Sequence, residues 1–251
     1  MATTSTSGPA PRWLEPECRF ATTNATSAVN DATTPSGPAL YPVLVALDGR
    51  RCLVVGGGQV AARKASGLLA AGARVEVIAT QLSPALRELA GAPGTGGRLS
   101  MRERPYERGD LQGYWLVIAA TGDKAVNRQV YEEGEAAGVW VNSADDPASS
   151  SFILPAVARQ GPVTLAVSTA GHSPALASWL RSELAARLGP EVAVLAEMLA
   201  GARAQVRAAG RSTEEVDWRP ALDWDMLDLI RSGRRAEAKE RLEACLSLPS
   251  G

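Results

Sequence analysis

At 251 residues the chain has room for one large domain or two small ones, and its 45% apolar and 21% charged residues are ordinary for a globular protein. Lys plus Arg total 26 and Asp plus Glu 27, so the formal charge of -1 gives no basic field for nucleic acid. No apolar run approaches the ~20 residues of a membrane helix, and the first residues lack a basic and apolar secretory signal, so a cytoplasmic protein without membrane or nucleic-acid partners is expected. Three scattered cysteines, Cys18, Cys52 and Cys245, and a single histidine, His172, argue against a disulfide framework and against a metal cage held by side chains.

Residues 1–39 hold nineteen Ser, Thr, Pro or Gly and only five charged residues. Such a segment buries too little apolar surface to offset its ordering entropy, so a disordered leader is expected there. Folding is expected to begin at Leu40. Arg51–Val55 reads as a strand running into Gly56-Gly57-Gly58, and Gln59–Ala71 as a helix. Arg74–Ile78 is a second strand, Pro84–Ala90 a short helix, and Leu99–Glu103 a weak strand. Trp115–Ala119 is nearly all apolar, as in a buried parallel strand. Asp123–Ala137 reads as a helix closed by Gly138, and Val139–Asn142 as a strand. This alternation predicts an α/β fold, a parallel sheet with helices on both faces.

The pattern changes near Ser150. Phe152–Ala158 and Val163–Ser168 read as two strands joined at Gln160-Gly161-Pro162. Helices are expected over Pro174–Leu188, Glu191–Ala209, Asp223–Ser232 and Arg235–Leu246. The expected organisation is a leader (1–39), a nucleotide-binding domain (40–151), a small linking region (152–190) and a helical C-terminal domain (191–251). Two strands and one helix are too small to bury a core alone, so residues 152–190 are expected to self-associate.

Gly56-Gly57-Gly58-Gln59-Val60-Ala61 matches G-x-G-x-x-[GA] between a strand and a helix, the context in which that motif binds a dinucleotide. Gly56 would permit the tight turn, Gly58 the approach of a pyrophosphate, and Ala61 close helix packing. A glycine-rich turn without a ligand is the alternative. The acidic residue that usually ends the second strand and binds the ribose is absent. Ala79-Thr80-Gln81 stands there, while Glu76 lies mid-strand and Arg74 at the far end.

Val141-Asn142-Ser143-Ala144-Asp145-Asp146-Pro147 leaves the carboxyl end of a predicted strand, where ligands of such sheets bind. Its adjacent carboxylates suit proton transfer, but an Asx turn before Pro147 explains them equally well. Ala170-Gly171-His172-Ser173-Pro174 precedes a helix. Capping accounts for Ser173 and Pro174, an anion site is the functional reading, and His172 is either a proton carrier or a solvent-facing loop residue.

These runs together resemble the precorrin-2 dehydrogenase/sirohydrochlorin ferrochelatase family, the dehydrogenase portion of siroheme synthases. The resemblance extends from Tyr41-Pro42-Val43 through the glycine loop to Arg63-Lys64. It continues in Ile118-Ala119-Ala120-Thr121-Gly122-Asp123, the Asn142–Pro147 run, Ser151-Phe152-Ile153-Leu154-Pro155-Ala156 and Ser168–Ala177, and covers about residues 40–210. It implies a Rossmann domain, a region in which two chains cross to form a homodimer, and a helical C-terminal domain. It also implies NAD-dependent oxidation of the tetrapyrrole precorrin-2 to sirohydrochlorin, followed in many members by insertion of Fe(II) to give siroheme. The family's aspartate in N-x-x-D-x-P falls on Asp145, as catalytic residue, and not on Asp146. Cofactor contacts fall on Gly56, Gly58, Gln59, Val60, Thr80, Gln81 and Thr121. Asn142, His172, Ser173, Arg63 and Lys64 are the candidate substrate-binding residues; Arg63, Lys64, Arg159 and Arg181 lie near the predicted cleft and could pair with the substrate carboxylates, with ordinary surface charge as the alternative. The chain departs from the family in Ser143-Ala144, where small apolar residues are usual, and in Ala170-Gly171 in place of two glycines. A regulatory module that senses NAD without catalysis is the alternative from another class, and an inert Asp145 variant would favour it. A short-chain dehydrogenase is a poor match, because Tyr131 is followed four residues later by Glu135 and not by Lys.

Overall fold

The computed structural model describes residues 40–247, so the leader expected over 1–39 lies outside the described residues. Strands β1 (Arg51–Val55), β2 (Arg74–Ala79), β3 (Leu99–Glu103), β4 (Leu116–Ala119) and β5 (Trp140–Ser143) form a parallel sheet in the order β3-β2-β1-β4-β5. The central strands are largely apolar because both faces are covered, with Arg51 of β1 and Arg74 and Glu76 of β2 as the charged exceptions. Cys52 and Val54 of β1 pack with Ala61, Ala65 and Leu68 of α1 (Gln59–Ala70) and Leu86 of α2 (Pro84–Gly91). Leu53 and Val55 face the other way, toward Val117 and toward Val130 of α3 (Lys124–Ala137). Asp123 caps α3, its side chain accepting from the Ala125 and Val126 N–H groups, and Gly138 ends the helix in the left-handed region at φ +67°.

No regular element was expected between β3 and β4, and the chain there covers the α3 side of the sheet as a loop. Leu111 and Tyr114 are buried in it, the Tyr106 hydroxyl donates to Glu133 at 2.7 Å, and the Tyr114 hydroxyl donates to Glu76 at 2.6 Å. Glu76 also pairs with Arg102 at 2.6 Å, so this mid-strand carboxylate serves the sheet and not the ligand end.

Two antiparallel strands, β6 (Ala156–Gln160) and β7 (Val163–Val167), meet at a two-residue turn, Gly161-Pro162. β6 begins four residues later than the expected Phe152. Pro155 has no N–H for a ladder, and the preceding residues run beside β5 instead, where the Ser151 N–H donates to the Val141 carbonyl at 2.8 Å. Helix α4 (Pro174–Ala185) stops short of the expected Leu188, because Arg187 and Leu188 donate three residues back, to Leu184 and Ala185, as in a tightened last turn.

Helices α5 (Pro190–Ala208), α6 (Trp224–Arg231) and α7 (Arg235–Ser247) enclose their own apolar cluster around Leu195, Ala202, Met226, Ile230 and Leu242. Its polar anchor is Glu191, buried in the first turn of α5 and paired with Arg231 of α6 at 2.5 Å. Backbone N–H groups of that first turn, and then Arg231, hold the Glu191 carboxyl below its ordinary value. A carboxyl lowered in the folded state adds stability above its unfolded value, and that stability is lost as pH falls through the lower folded value. Glu191→Gln is therefore expected to cost about 1–2 kcal/mol at pH 7. Thermal melts of the two proteins should converge as the pH drops below about 4.5, the ordinary value. A gap independent of pH would show that ionisation of Glu191 is irrelevant to the fold.

Candidate active site

The strand order reverses between β1 and β4, and the loops leaving the carboxyl ends of β1, β2, β4 and β5 open onto that crevice, where ligands of such sheets bind. The glycine loop is fixed by contacts that tolerate no side chain. Gly56 has φ +131°, and an added Cβ would lie 2.3 Å from the Ala120 carbonyl oxygen. A Cβ at Gly57 would lie 1.7 Å from the Gln81 carbonyl oxygen. Gly58 differs, because a Cβ there would meet nothing within 4 Å. It borders open space directly before α1, whose first turn has no side-chain cap and no acidic residue. Unused N–H groups, a favourable helix dipole and an open approach fit a dinucleotide pyrophosphate.

Gln59 and the half-buried Val60 begin α1 beside that space, and Thr80 and Gln81 are exposed at the end of β2. Thr121 follows β4 and is fastened by Asn127, which the sequence reading missed. Its side-chain oxygen accepts from the Thr121 hydroxyl at 2.7 Å and backbone N–H at 3.2 Å, and its amide donates to the Thr121 carbonyl at 3.1 Å. An asparagine early in α3, a poor helix former four residues after the cap, was the available signal.

The two adjacent aspartates after β5 are separated by their surroundings. Asp146 is committed to the turn: it accepts from the Ala148 N–H at 3.1 Å and the Ser149 hydroxyl at 2.7 Å. The Ser149 hydroxyl, and then backbone N–H groups, pull its carboxyl below the ordinary value. Asp145 is exposed one residue earlier. Its loop is held by serines whose role the sequence reading also missed. Ser150 Oγ accepts from the Ser143 N–H at 2.9 Å and donates to the Asp146 carbonyl at 3.0 Å, and Ser151 Oγ accepts from the Val141 N–H at 2.8 Å. A run of three serines after Asp-Pro was the trace of this, since hydroxyls can replace strand partners along β5.

Half-buried Lys64 on α1 is within electrostatic reach of Asp145. Burial and then the neighbouring Arg63 push its ammonium down from the ordinary value, while Asp145 pulls it up. Arg63 itself is exposed. Asn142 is buried, and its amide donates to the Phe152 carbonyl at 2.9 Å, which ties β5 to the returning chain. Ser173 caps α4, accepting from the Leu176 N–H at 3.1 Å, and Thr169 bonds the Ser173 backbone on both sides. His172 is exposed, with Nδ1 2.9 Å from the Thr169 carbonyl oxygen. This loop carries Ala170 at φ +51°, and a Cβ on Gly171 would lie 4.0 Å from Pro147, so the loop approaches the turn that follows Asp145 at Gly171. Arg159 lies on β6, and Arg181 on α4 donates to Ser182 at 2.8 Å. No cluster of three metal-ligating side chains occurs among the described residues. No helix among them is long and apolar enough to cross a membrane.

Two family models match the chain: an NAD(P)-binding model over residues 43–156 and the sirohaem biosynthesis protein central model over residues 160–187. Siroheme synthase 1 of Aeromonas salmonicida is 37% identical over 213 residues, covering 84% of this chain and 45% of the relative. Siroheme synthase 1 of Halorhodospira halophila is 39% identical over 208 residues, covering 80% and 42%. The chain thus spans less than half the length of these relatives. Among solved structures, SirC, a precorrin-2 dehydrogenase, aligns over 83% of this chain and all of its own, with a TM-score of 0.61 and 25% identity. The glycine loop and the Asn142–Pro147 run lie within the first matched region and the Ser168–Ala177 run within the second, so the chain is similar over these regions to siroheme synthases and, in fold, to a precorrin-2 dehydrogenase.

Proposed function

We propose that this chain oxidises precorrin-2 to sirohydrochlorin with NAD, and that Asp145 is its proton acceptor. The observation that carries the reading is the separation of the two aspartates: Asp146 is spent on the turn, and Asp145 is presented by a serine-held loop at the ligand end of the sheet. The dinucleotide, when bound, supplies the hydride acceptor. Gly56, Gly58, Gln59 and Val60 would hold its pyrophosphate, Thr80 and Gln81 its ribose, and Thr121 the opposite side of the crevice. The substrate loses a hydride and a proton, and the Asp145 carboxylate takes the proton as conjugation extends. Lys64 and Arg63 offer cations to the substrate carboxylates, and His172 and Ser173 border the same space. Asn142 takes a positioning role in this reading, through Phe152. Fe(II) enters the proposal as a second substrate, with Asp145 collecting the pyrrole protons that iron displaces. The test is an anaerobic assay of NADH formation from precorrin-2, with a second arm that follows siroheme from sirohydrochlorin and Fe(II). A chain that binds the dinucleotide but turns over neither substrate would favour the sensing module.

The proposed assembly is a homodimer through residues 152–190. A two-stranded hairpin with one helix is too small to be stable alone, and α4 leaves Leu176, Trp179 and Leu184 exposed. Light scattering at micromolar concentration should give twice the chain mass, and Trp179→Glu should shift it to the single-chain value. A wild-type monomer would remove the dimer.

A further inference from the structure

The ribose end of the crevice carries a pair of opposite charges that the cofactor reading leaves unused. In dinucleotide-binding units of this kind, a carboxylate at the end of the second strand accepts from the ribose 2′-hydroxyl and repels a 2′-phosphate, whereas a nearby arginine accommodates the phosphate. Here β2 ends in Ala79, followed by uncharged, exposed Thr80 and Gln81. The neighbouring acid comes from the next strand: Glu103, the last residue of β3, is the register partner of Ala79. It does not stand alone, because Arg87 of α2 reaches it at 3.3 Å, with side chains 58% and 48% exposed. An exposed pair at that separation is loosely held and easily exchanged for another partner. The approach to α2 offers further polarity. The Ser83 N–H donates to the Gly57 carbonyl at 2.9 Å, which fixes this turn to the glycine loop, and the Ser83 hydroxyl has no hydrogen-bond partner among the described residues.

We infer that the ribose pocket accepts the 2′-phosphorylated dinucleotide NADP as well as NAD, with Arg87 leaving Glu103 to pair with the 2′-phosphate. The inference rests on the proposed nicotinamide site. No carboxylate from β2 repels the phosphate, the one acid nearby on β3 already has a cation on it, and that cation forms a stronger, two-pronged pair with a phosphate than with a singly contacted carboxylate. With NAD bound, Arg87 stays on Glu103 and little changes.

The test is calorimetric titration of the purified full chain with NAD⁺ and with NADP⁺, without substrate. The expected result is a Kd for NADP⁺ within about tenfold of that for NAD⁺. Arg87→Gln should weaken NADP⁺ by about tenfold or more and leave NAD⁺ within about twofold, since loss of one charged hydrogen-bonding partner is of that order. Thr80→Asp places a carboxylate at the end of β2 and should lower the affinity for NADP⁺ relative to NAD⁺ by about tenfold or more. NAD⁺ binding without measurable NADP⁺ binding would overturn the inference and leave the proposed function standing, as would an equal loss of both dinucleotides in folded Arg87→Gln. Failure of both dinucleotides to bind the wild-type chain would overturn the nicotinamide site itself.

Discussion

Asp145→Asn should lower the rate of NADH formation from precorrin-2 by about 10²–10⁴, the usual cost of removing a general base while keeping its size. Asp146→Asn should cost far less in rate. Its carboxylate accepts from Ala148 and Ser149, and an asparagine side-chain oxygen can keep one of those bonds, so the expected damage is to the turn. Dinucleotide affinity should survive both changes, because the glycine loop and the end of β2 lie on other strands of the sheet. The measurement is steady-state turnover for three proteins, with binding titrated alongside. Turnover near wild type in a folded Asp145→Asn chain would take this residue out of the mechanism. A greater loss in Asp146→Asn would mean that a carboxylate engaged in the turn still supplies the chemistry.

Gly58→Val should abolish dinucleotide binding at concentrations that saturate the wild type, a loss of at least about 100-fold, while the melting temperature stays close to wild type. The contrast with its neighbour makes the expectation specific. At Gly58 an added Cβ finds no protein atom within 4 Å, so the branched side chain extends into the space reserved for the pyrophosphate. At Gly57 a Cβ would collide with the Gln81 carbonyl oxygen at 1.7 Å, and backbone cannot be moved aside by a rotamer change. Gly57→Ala should therefore lower the melting temperature, and any loss of affinity there would follow from loss of structure. Unchanged affinity in folded Gly58→Val would place the pyrophosphate elsewhere.

Much of this architecture is legible in the residues alone. Arg51–Val55 and Leu99–Glu103 are strands with the expected bounds, and α1, α2, α3 and α5–α7 fall within one or two residues of them. Local chemistry decides such elements: near-continuous apolar runs, a capping Asp123, a left-handed Gly138, and a proline opening α2, α4 and α5. The glycine loop was legible for the same reason, since Gly56–Ala61 is a six-residue motif read against its immediate strand and helix. The order of motifs along the chain was enough to indicate the resemblance.

Other features depended on residues far apart in the chain. The strand after Ser150 starts late because Phe152 is held by Asn142, ten residues earlier, and no local propensity records that bond. Asp145 and Asp146 look alike as letters, and spacing alone could not divide them; the hydroxyl of Ser149 and the N–H of Ala148 do so only once the chain has turned. Lys64 and Asp145 stand eighty-one positions apart and come within electrostatic reach only because α1 and β5 pack on one sheet. Glu103 acquires its place beside the end of β2 through strand register, and Arg87 through the packing of α2 over it. Sequence by itself determined most of the elements and the glycine loop, because each is set largely by short-range sterics and hydrogen bonding, and the order of its motifs carried the resemblance to siroheme synthases. Only the tertiary structure decided which polar side chains are spent on holding loops and which stand open at the crevice, because that depends on partners brought together by the sheet.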